Sequence, residues 1–359
     1  MIGLHSSDPA TVFISARARV KGFRREGLER ALYDDRSLVR ILGMRRTLFV
    51  TTPPLAAVID AACTKALVQP ERRRLIGWIE GQGIARDGAA WLREACRATM
   101  RALRERGELS GAELSKLVPQ LREKLYFGEN KKWGGEVGMT TRVVFLLAAE
   151  GQIVRGRPRG TWISGQYRWA PADTWLGEPL GDIPVGEASA ELLRRWLYAF
   201  GPATTTDIRW WTGWTQGKLS AALERVEVED VQLEDGSRAF VLADDAGKVS
   251  TRTRWVALLP GLDPTTMGWK QRDWYLGTHA PRLFDRNGNA GPTVWADGRV
   301  VGGWGQRPDA SLVVEYLEPV DAQVRDRVEK ERRRLADWLD GARVTARFRT
   351  PLEKEIEAS

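Results

Sequence analysis

Cysteine is scarce in this chain of 359 residues, with two in all. Cys63 and Cys96 are too few for a disulfide framework. Histidine is equally scarce, again two, and no Cys-x-x-Cys or His-x-x-x-His spacing is present to hold zinc. No structural metal is therefore expected, and nothing calls for a cofactor. Positions 1–25 lack the apolar core of an export signal, and no uninterrupted apolar run of about 18 residues occurs anywhere. Neither export nor membrane insertion is indicated, and the cytoplasm is the expected compartment.

What is present is arginine, tryptophan and enough apolar residue to fold. The hydrophobic fraction of 43% is that of an ordinary folded chain, and the length exceeds what one core usually serves, so two to four units are expected. The net charge is +8 and the pI about 9.6. Arginine greatly outnumbers lysine, which suits bidentate contact with phosphate and points to an anionic polymer as partner. An Arg-, Ala- and Gly-rich composition also follows from a GC-rich genome, so the charge needs other features beside it. Sixteen tryptophans read first as anchors of packing.

The chain opens on MIGLHSSDPATVFISARARV. Asp8 is placed to cap a helix that has Pro9 at its first position. Residues 10–42 read as short helices with a break around Tyr33-Asp34-Asp35. RILGMRRTLFVTTPP then reads as a hairpin carrying Arg45 and Arg46, ended by Pro53-Pro54. Helix, helix and basic hairpin is the order of a winged helix. Residues 55–127 are mostly helical, closing with a segment opened by Ser110 and interrupted by Pro119, as in a helix-turn-helix. MTTRVVFLLAAEGQIVRGRPRGTWISGQYRWAP repeats the pattern as an apolar helix followed by a wing with Arg155, Arg157 and Arg159. A third copy follows. Gly201-Pro202 stops one helix, Thr204 and Thr215 open two more, and Asp235-Gly236 turns a hairpin.

From Thr251 the texture changes to β-formers with Gly and Pro, where Asn287-Gly288 and Asp297-Gly298 mark turns, so a small sheet or barrel is expected. A helix with Val324, Val328, Leu335 and Leu339 on one face and a strand-like ARVTARF close the chain. The expected fold class is α+β, with three tandem winged helices followed by a small β-barrel. Its divisions are 1–54, a partial first winged helix; 55–180, a helical linker and second winged helix; 181–245, the third; and 246–359, the barrel domain with its C-terminal helix.

GLHSSDP before a helix, GPATTTDIRWWTGW, LLPGLDPTTMGWKQRDWYLG and LFDRNGNAGPTVWADGRVVGGW together resemble the AlkZ/YcaQ winged-helix superfamily, which includes bacterial DNA glycosylases for bulky alkylated purines. The resemblance covers nearly the whole chain and is most specific in the C-terminal block. It implies a C-shaped clamp around duplex DNA. It also implies a helical segment ahead of GLHSSDP, so the first winged helix is expected to be truncated at its N-terminus. Enzymes of the superfamily carry Gln-x-Gln or Gln-x-Asp just before the first long helix, and by position those two catalytic residues fall on His5 and Ser7.

His-Ser-Ser thus stands where the enzymes have an amide motif. A neutral His5 can accept a proton from water, with the helix dipole disfavouring the imidazolium, and Ser7 can orient that water. The alternative is that Ser7 and Asp8 compete to cap the helix while His5 packs or binds phosphate. Arg17, Arg45, Arg46, Arg155, Arg157, Arg159 and Arg168 are candidates for phosphate contact, with simple solvation the competing reading. Gln166 and Tyr167 beside Arg168 can approach a DNA backbone or form core. Arg286 and Asn287 can present a turn to a groove or sit on a plain surface turn. His279 reads as structural. The expected partner is duplex DNA, damaged duplex included, bound by a monomer working beside the nucleoid. The two functional readings are a monofunctional glycosylase acting on 7-alkylguanine-type lesions and a noncatalytic winged-helix DNA-binding or regulatory protein.

Overall fold

The computed structural model describes residues 1–127, 135–247, 253–346 and 349–359. Several of its helices begin where a short polar side chain takes one of the first free amides, as at Asp8, Asp87, Ser110, Thr204, Thr215, Asp321 and Thr350. The chain starts with strand β1 (Leu4–His5) and helices α1 (Pro9–Arg17) and α2 (Arg25–Tyr33). Strands β2 (Val39–Leu42) and β3 (Leu48–Thr51) then pair antiparallel, Leu42 opposite Leu48. Pro53 opens α3 (Pro53–Ile59) rather than merely ending the hairpin. A π turn at Asp60–Thr64 leads into α4 (Lys65–Gly81), which runs on through Pro70.

Helix α5 (Gly88–Arg106), strand β4 (Leu109–Ser110) and helix α6 (Gly111–Leu117) follow. Ser110 heads α6 in a reciprocal capping box with Glu113, as its position before ELSKL suggests. A hairpin not anticipated from the sequence comes next, β5 (Lys124–Phe127) with β6 (Gly135–Gly138). Then come α7 (Met139–Ala149), β7 (Ile153–Pro158), β8 (Tyr167–Pro171) and α8 (Ala172–Leu176). Strands β4, β8 and β7 form one sheet in that order. Helix α9 (Val185–Phe200) stops at Gly201-Pro202, and α10 (Thr205–Thr212) and α11 (Gln216–Leu223) are capped by Thr204 and Thr215 as expected. Strands β9 (Val228–Gln232) and β10 (Arg238–Leu242) pair across the Asp235-Gly236 turn, where Gly236 has φ +83°.

The last part holds β11 (Val256–Leu259), α12 (Asp273–Leu276), α13 (Ala280–Leu283), β12 (Thr293–Ala296), β13 (Arg299–Gln306), β14 (Leu312–Tyr316), α14 (Ala322–Leu339) and α15 (Pro351–Ala358). Asp297 and Gly298, with φ of 47° and 90°, make the two-residue turn between β12 and β13. The expected barrel is not formed. Among the described residues these strands make an open antiparallel sheet in the order β11-β12-β13-β14. Strands β11 and β14 end the sheet without pairing to each other, and helices α14 and α15 pack against it instead. A methyl group on Gly303 would collide with Leu352 of α15 and with Leu283, so the glycine permits the close approach of that helix. Leu352 and Ile356 of α15 are buried in the core with Tyr275, Trp295 and Val300, each contributing about 2 kcal/mol.

No closing strand is found among the described residues of 342–348 either. Residues 342–346 are irregular, 347 and 348 lie outside the described residues, and the chain ends in α15, capped by Thr350. Thr251, where the composition changes, is likewise outside them.

The chain divides into two compact units, Met1–Gly27 with Leu193–Ser359, and Leu28–Leu192. The second unit has its core around Leu92, Leu103, Leu114, Leu125, Val143 and Leu147, all essentially unexposed. In the first, a chain of rings runs from Trp196 to Phe200 at 5.6 Å, Phe200 to Trp269 at 5.2 Å, Trp269 to Tyr275 at 5.8 Å and Tyr275 to Trp295 at 5.0 Å. Trp162, Trp175, Trp196, Trp211, Trp214, Trp295 and Trp304 are buried and serve packing. Both cysteines are buried and free, and burial pushes the Cys96 thiol up to about 12. No helix among the described residues is long and apolar enough to cross a membrane.

Asp60, at the start of the π turn, is 7% exposed. Burial, opposed by Lys65, raises its carboxyl from 3.8 to about 6. The folded chain therefore holds this proton more tightly than the unfolded one, and stability falls as pH rises from about 4 to about 6. Asp60→Asn should remove that fall and raise stability at pH 7 by on the order of 2 kcal/mol. Urea unfolding at pH 4.5 and pH 7 measures both.

Candidate functional site

The segment before α1 is built by local hydrogen bonds. Asp8 is extended (φ −106°, ψ 126°), and its Oδ1 accepts from the Ala10 amide at 3.0 Å. His5 is 4% exposed and Ser6 is fully buried, whereas Ser7 is exposed. The Ser7 amide donates to His5 Nδ1 at 3.4 Å. A neutral imidazole that accepts at Nδ1 carries its proton on Nε2. The Asp8 carboxyl is held above its ordinary range by burial, against the pull of the Ala10 and Thr11 amides. Glu353 of α15 is pushed up for the same reason, and the charge of Asp8 adds to its rise.

Helix α1 is held by the loop that follows β11. Thr11 Oγ1 donates to the Gly261 carbonyl at 2.7 Å. Ser15 Oγ donates to Asp263 Oδ2 at 2.6 Å. Arg19 grips the same carboxylate with both guanidinium arms, at 2.8 and 2.6 Å, and the Thr265 amide donates to it at 2.9 Å. Asp263 is completely buried and the Arg19 side chain is 24% exposed, so solvent reaches these charge-assisted bonds only from the arginine side. These contacts explain why PGLDPTT is a distinctive stretch: it is the clamp on the helix that follows the candidate site.

The candidate arginines divide by partner. Arg17 pairs with Glu331 at 2.6 Å and is 12% exposed. Arg45 and Arg46 sit at the β2–β3 turn with φ of 52° and 63°, a left-handed region rare for such side chains. Arg46 pairs with Glu71 and lies 5.0 Å from the Phe145 ring centre. Arg157 pairs with Asp34 at 2.7 Å over the Tyr33 ring, Arg159 pairs with Glu113, and Arg168 lies 3.5 Å from Glu108. Arg155 has its guanidinium 5.1 Å from the Tyr167 ring and 5.0 Å from Trp169. Burial lowers its pKa to about 10. Tyr167 is 7% exposed, which favours the core reading for that strand.

Arg286 and Asn287 are exposed at a tight turn. Asp285 Oδ1 accepts the Asn287 and Asn289 amides at 2.7 and 2.9 Å. This is a side-chain-capped loop with one bridge, Phe284 to Ala290, rather than a hairpin of paired strands. His279 has an acid partner that the sequence did not disclose, Glu318 at 3.1 Å. Among the described residues no three His, Cys, Asp or Glu side chains converge as a metal site.

His5, Ser7, Arg17, Arg286 and Asn287 belong to the first unit, and Arg45, Arg46, Arg155, Arg157, Arg159 and Arg168 to the second. Two features escaped the sequence reading. One is that Asp8 is a mostly buried carboxylate as well as a cap, signalled only by its adjacency to Ser7. The other is the interleaving of cations and tryptophans in GWKQRDW.

A family model described as DNA glycosylase AlkZ-like matches residues 1–338. Among solved structures, the chain is similar to the Streptomyces sahachiroi DNA glycosylase AlkZ, with a TM-score of 0.71 and 24% identity, covering 96% of this chain and 90% of that one. No curated protein matches the sequence.

Capping and charge at Asp8 can be separated. Asp8→Asn keeps a capping oxygen and removes a buried charge, so the unfolding midpoint should hold or rise at pH 7. Asp8→Ala loses the cap and should cost about 1 kcal/mol, read by urea unfolding.

Proposed function

The chain belongs to the AlkZ-like DNA glycosylase family, and from that premise we propose that it hydrolyses the N-glycosidic bond of bulky alkylated purines in duplex DNA. The observation that carries this reading is that Asp8, a mostly buried carboxylate, stands at the head of α1 next to His5 and Ser7, the two positions on which the resemblance places the catalytic residues. A 7-alkylguanine is already cationic and leaves readily. The site must then hold a water against the anomeric carbon and stabilise positive charge on the sugar.

Asp8 supplies the charge that His5 and Ser7 lack. Its burial raises its basicity, so it is suited to take the proton of the attacking water. The exposed Ser7 hydroxyl orients that water. His5 is engaged at Nδ1 by the Ser7 amide, so it holds the turn that presents both groups, and the base role passes to Asp8. The C1′–N9 bond breaks with its electron pair going to the cationic purine, and the water oxygen bonds to C1′. The products are free base and an abasic site.

The three helix-and-hairpin units are read as winged helices that hold the duplex by its phosphates, so binding weakens steeply with salt. Arg286 and Asn287, exposed on their turn, are the first choice for a groove contact. Arg45, Arg155 and the paired wing arginines remain candidates for phosphate, through exchange of an acid partner for DNA in the paired cases.

The test is a duplex carrying 7-methylguanine or a bulkier adduct, incubated with protein and then treated with alkali to cut abasic sites. Wild type should give strand breaks at the lesion. Asp8→Asn should lower the single-turnover rate by about 100-fold or more with duplex affinity unchanged within about twofold, and His5→Ala should lower excision more than binding. Absence of strand breaks across several lesions, with tight salt-sensitive binding, would put the noncatalytic DNA-binding reading in its place.

A further inference from the structure

Trp274 is 61% exposed, whereas Trp196, Trp211, Trp295 and Trp304 of the same unit are buried. Its ring is nonetheless held in place. The indole N–H donates to the Gln271 carbonyl at 3.2 Å, and the ring meets Trp269 at 5.1 Å and Tyr275 at 4.9 Å, both near 82°. Tyr275 is fully buried and stacks on Trp295.

The loop beneath is equally fixed. Asp207, 3% exposed, accepts the Lys270 and Gln271 amides at 2.8 and 2.9 Å, and the Trp269 indole donates to the Phe200 carbonyl at 2.9 Å. A large ring kept rigid and yet left in water forgoes burial worth a tryptophan side chain, and it loses little entropy on meeting a partner.

The adjacent cations indicate what that partner is. Arg272 lies 5.1 Å from the Trp210 ring centre and 4.5 Å from that of Phe284. Burial draws its pKa down, and among the described residues no carboxylate lies within ion-pair distance of it. Lys270 is exposed and has no ion pair among the described residues either. Asp273 is the one acid in the run from Lys270 to Trp274. A rigid exposed indole beside Lys270 and Arg272, the latter within the field of Asp273 and Asp207 but in an ion pair with neither, suits a planar ring that brings its own negative charge.

We propose that Trp274 is a stacking platform for one unpaired nucleobase, with Lys270 and Arg272 holding the phosphates beside it. In an intact duplex every base is already stacked, so the platform engages only where the helix is opened, as at a position that has lost its base. This rests on the DNA reading above, but it assigns a contact to a part of the chain remote in sequence from His5 to Asp8.

Fluorescence anisotropy with two labelled duplexes tests it, one fully paired and one of the same sequence with an abasic position that leaves a base unpaired. Wild type should prefer the abasic duplex. Trp274→Ala should weaken binding to it by about tenfold while changing affinity for the paired duplex less than about twofold. Trp274→Phe, which keeps a planar ring, should retain most of the preference, and Trp274→Leu, apolar but not planar, should behave as the alanine variant.

Equal losses on both duplexes, loss on neither, or full rescue by leucine would overturn the stacking role. So would tight wild-type binding with no preference, which would leave the DNA reading intact. Failure of wild type to bind either duplex would overturn both. Should Trp274→Ala prove unfolded by circular dichroism, the contrast between phenylalanine and leucine decides.

Discussion

The carboxylate of Asp263 governs how the N-terminal helix is held. It is fully buried, and it takes the Ser15 hydroxyl, both arms of Arg19 and the Thr265 amide. Ser15 and Asp263 are 248 positions apart in the chain. A buried ion pair of this kind adds little net stability over a well-packed apolar replacement, but removing one partner leaves a desolvated charge and costs about 3–5 kcal/mol. Its value is therefore in fixing geometry. His5, Ser7 and Asp8 lie directly ahead of α1, so their position is set by a bond network at the far end of the sequence.

The second constraint is the handling of positive charge. A net charge of +8 suggests a bare basic surface, yet much of the arginine is engaged within the fold. Arg17, Arg46, Arg157 and Arg159 meet carboxylates, while Arg36, Arg40, Arg142 and Arg155 lie against rings of Trp, Tyr or Phe. The planar, weakly hydrated guanidinium makes such stacking possible where a lysine ammonium would resist desolvation. The abundance of tryptophan and of arginine is thus partly one fact. It also explains why net charge pointed to a class of partner without locating the surface that meets it.

Much of the fold was legible because its signals are local. Asp8, Ser110, Thr204 and Thr215 each take amides within three residues of themselves. Asp235-Gly236 and Asp297-Gly298 turn hairpins through backbone angles that glycine favours. The face of α14 carrying Val324, Val328, Leu335 and Leu339 is buried as its spacing indicates. The barrel was not legible as an open sheet, because closure depends on strand number and on what covers the edges. Helix α15 carries local start signals in Thr350, Pro351 and Glu353, but its burial against the sheet depends on the room left at Gly303, which the linear order of residues does not show.

For the site, the sequence by itself determined a capped helix start with His5, Ser7 and Asp8 in order, and it determined the family through motifs spread over the whole chain. These depend on residue identity and short spacing, which the sequence states outright. Only the tertiary structure decided that Asp8 is a mostly buried carboxylate with raised basicity, that His279 faces Glu318, and that Trp274 stands exposed on an aromatic base whose Tyr275 stacks on Trp295. Each of those is a matter of solvent exclusion or of contact between distant segments. Desolvation is set by the neighbours a side chain acquires on folding, and the linear order of residues does not carry it.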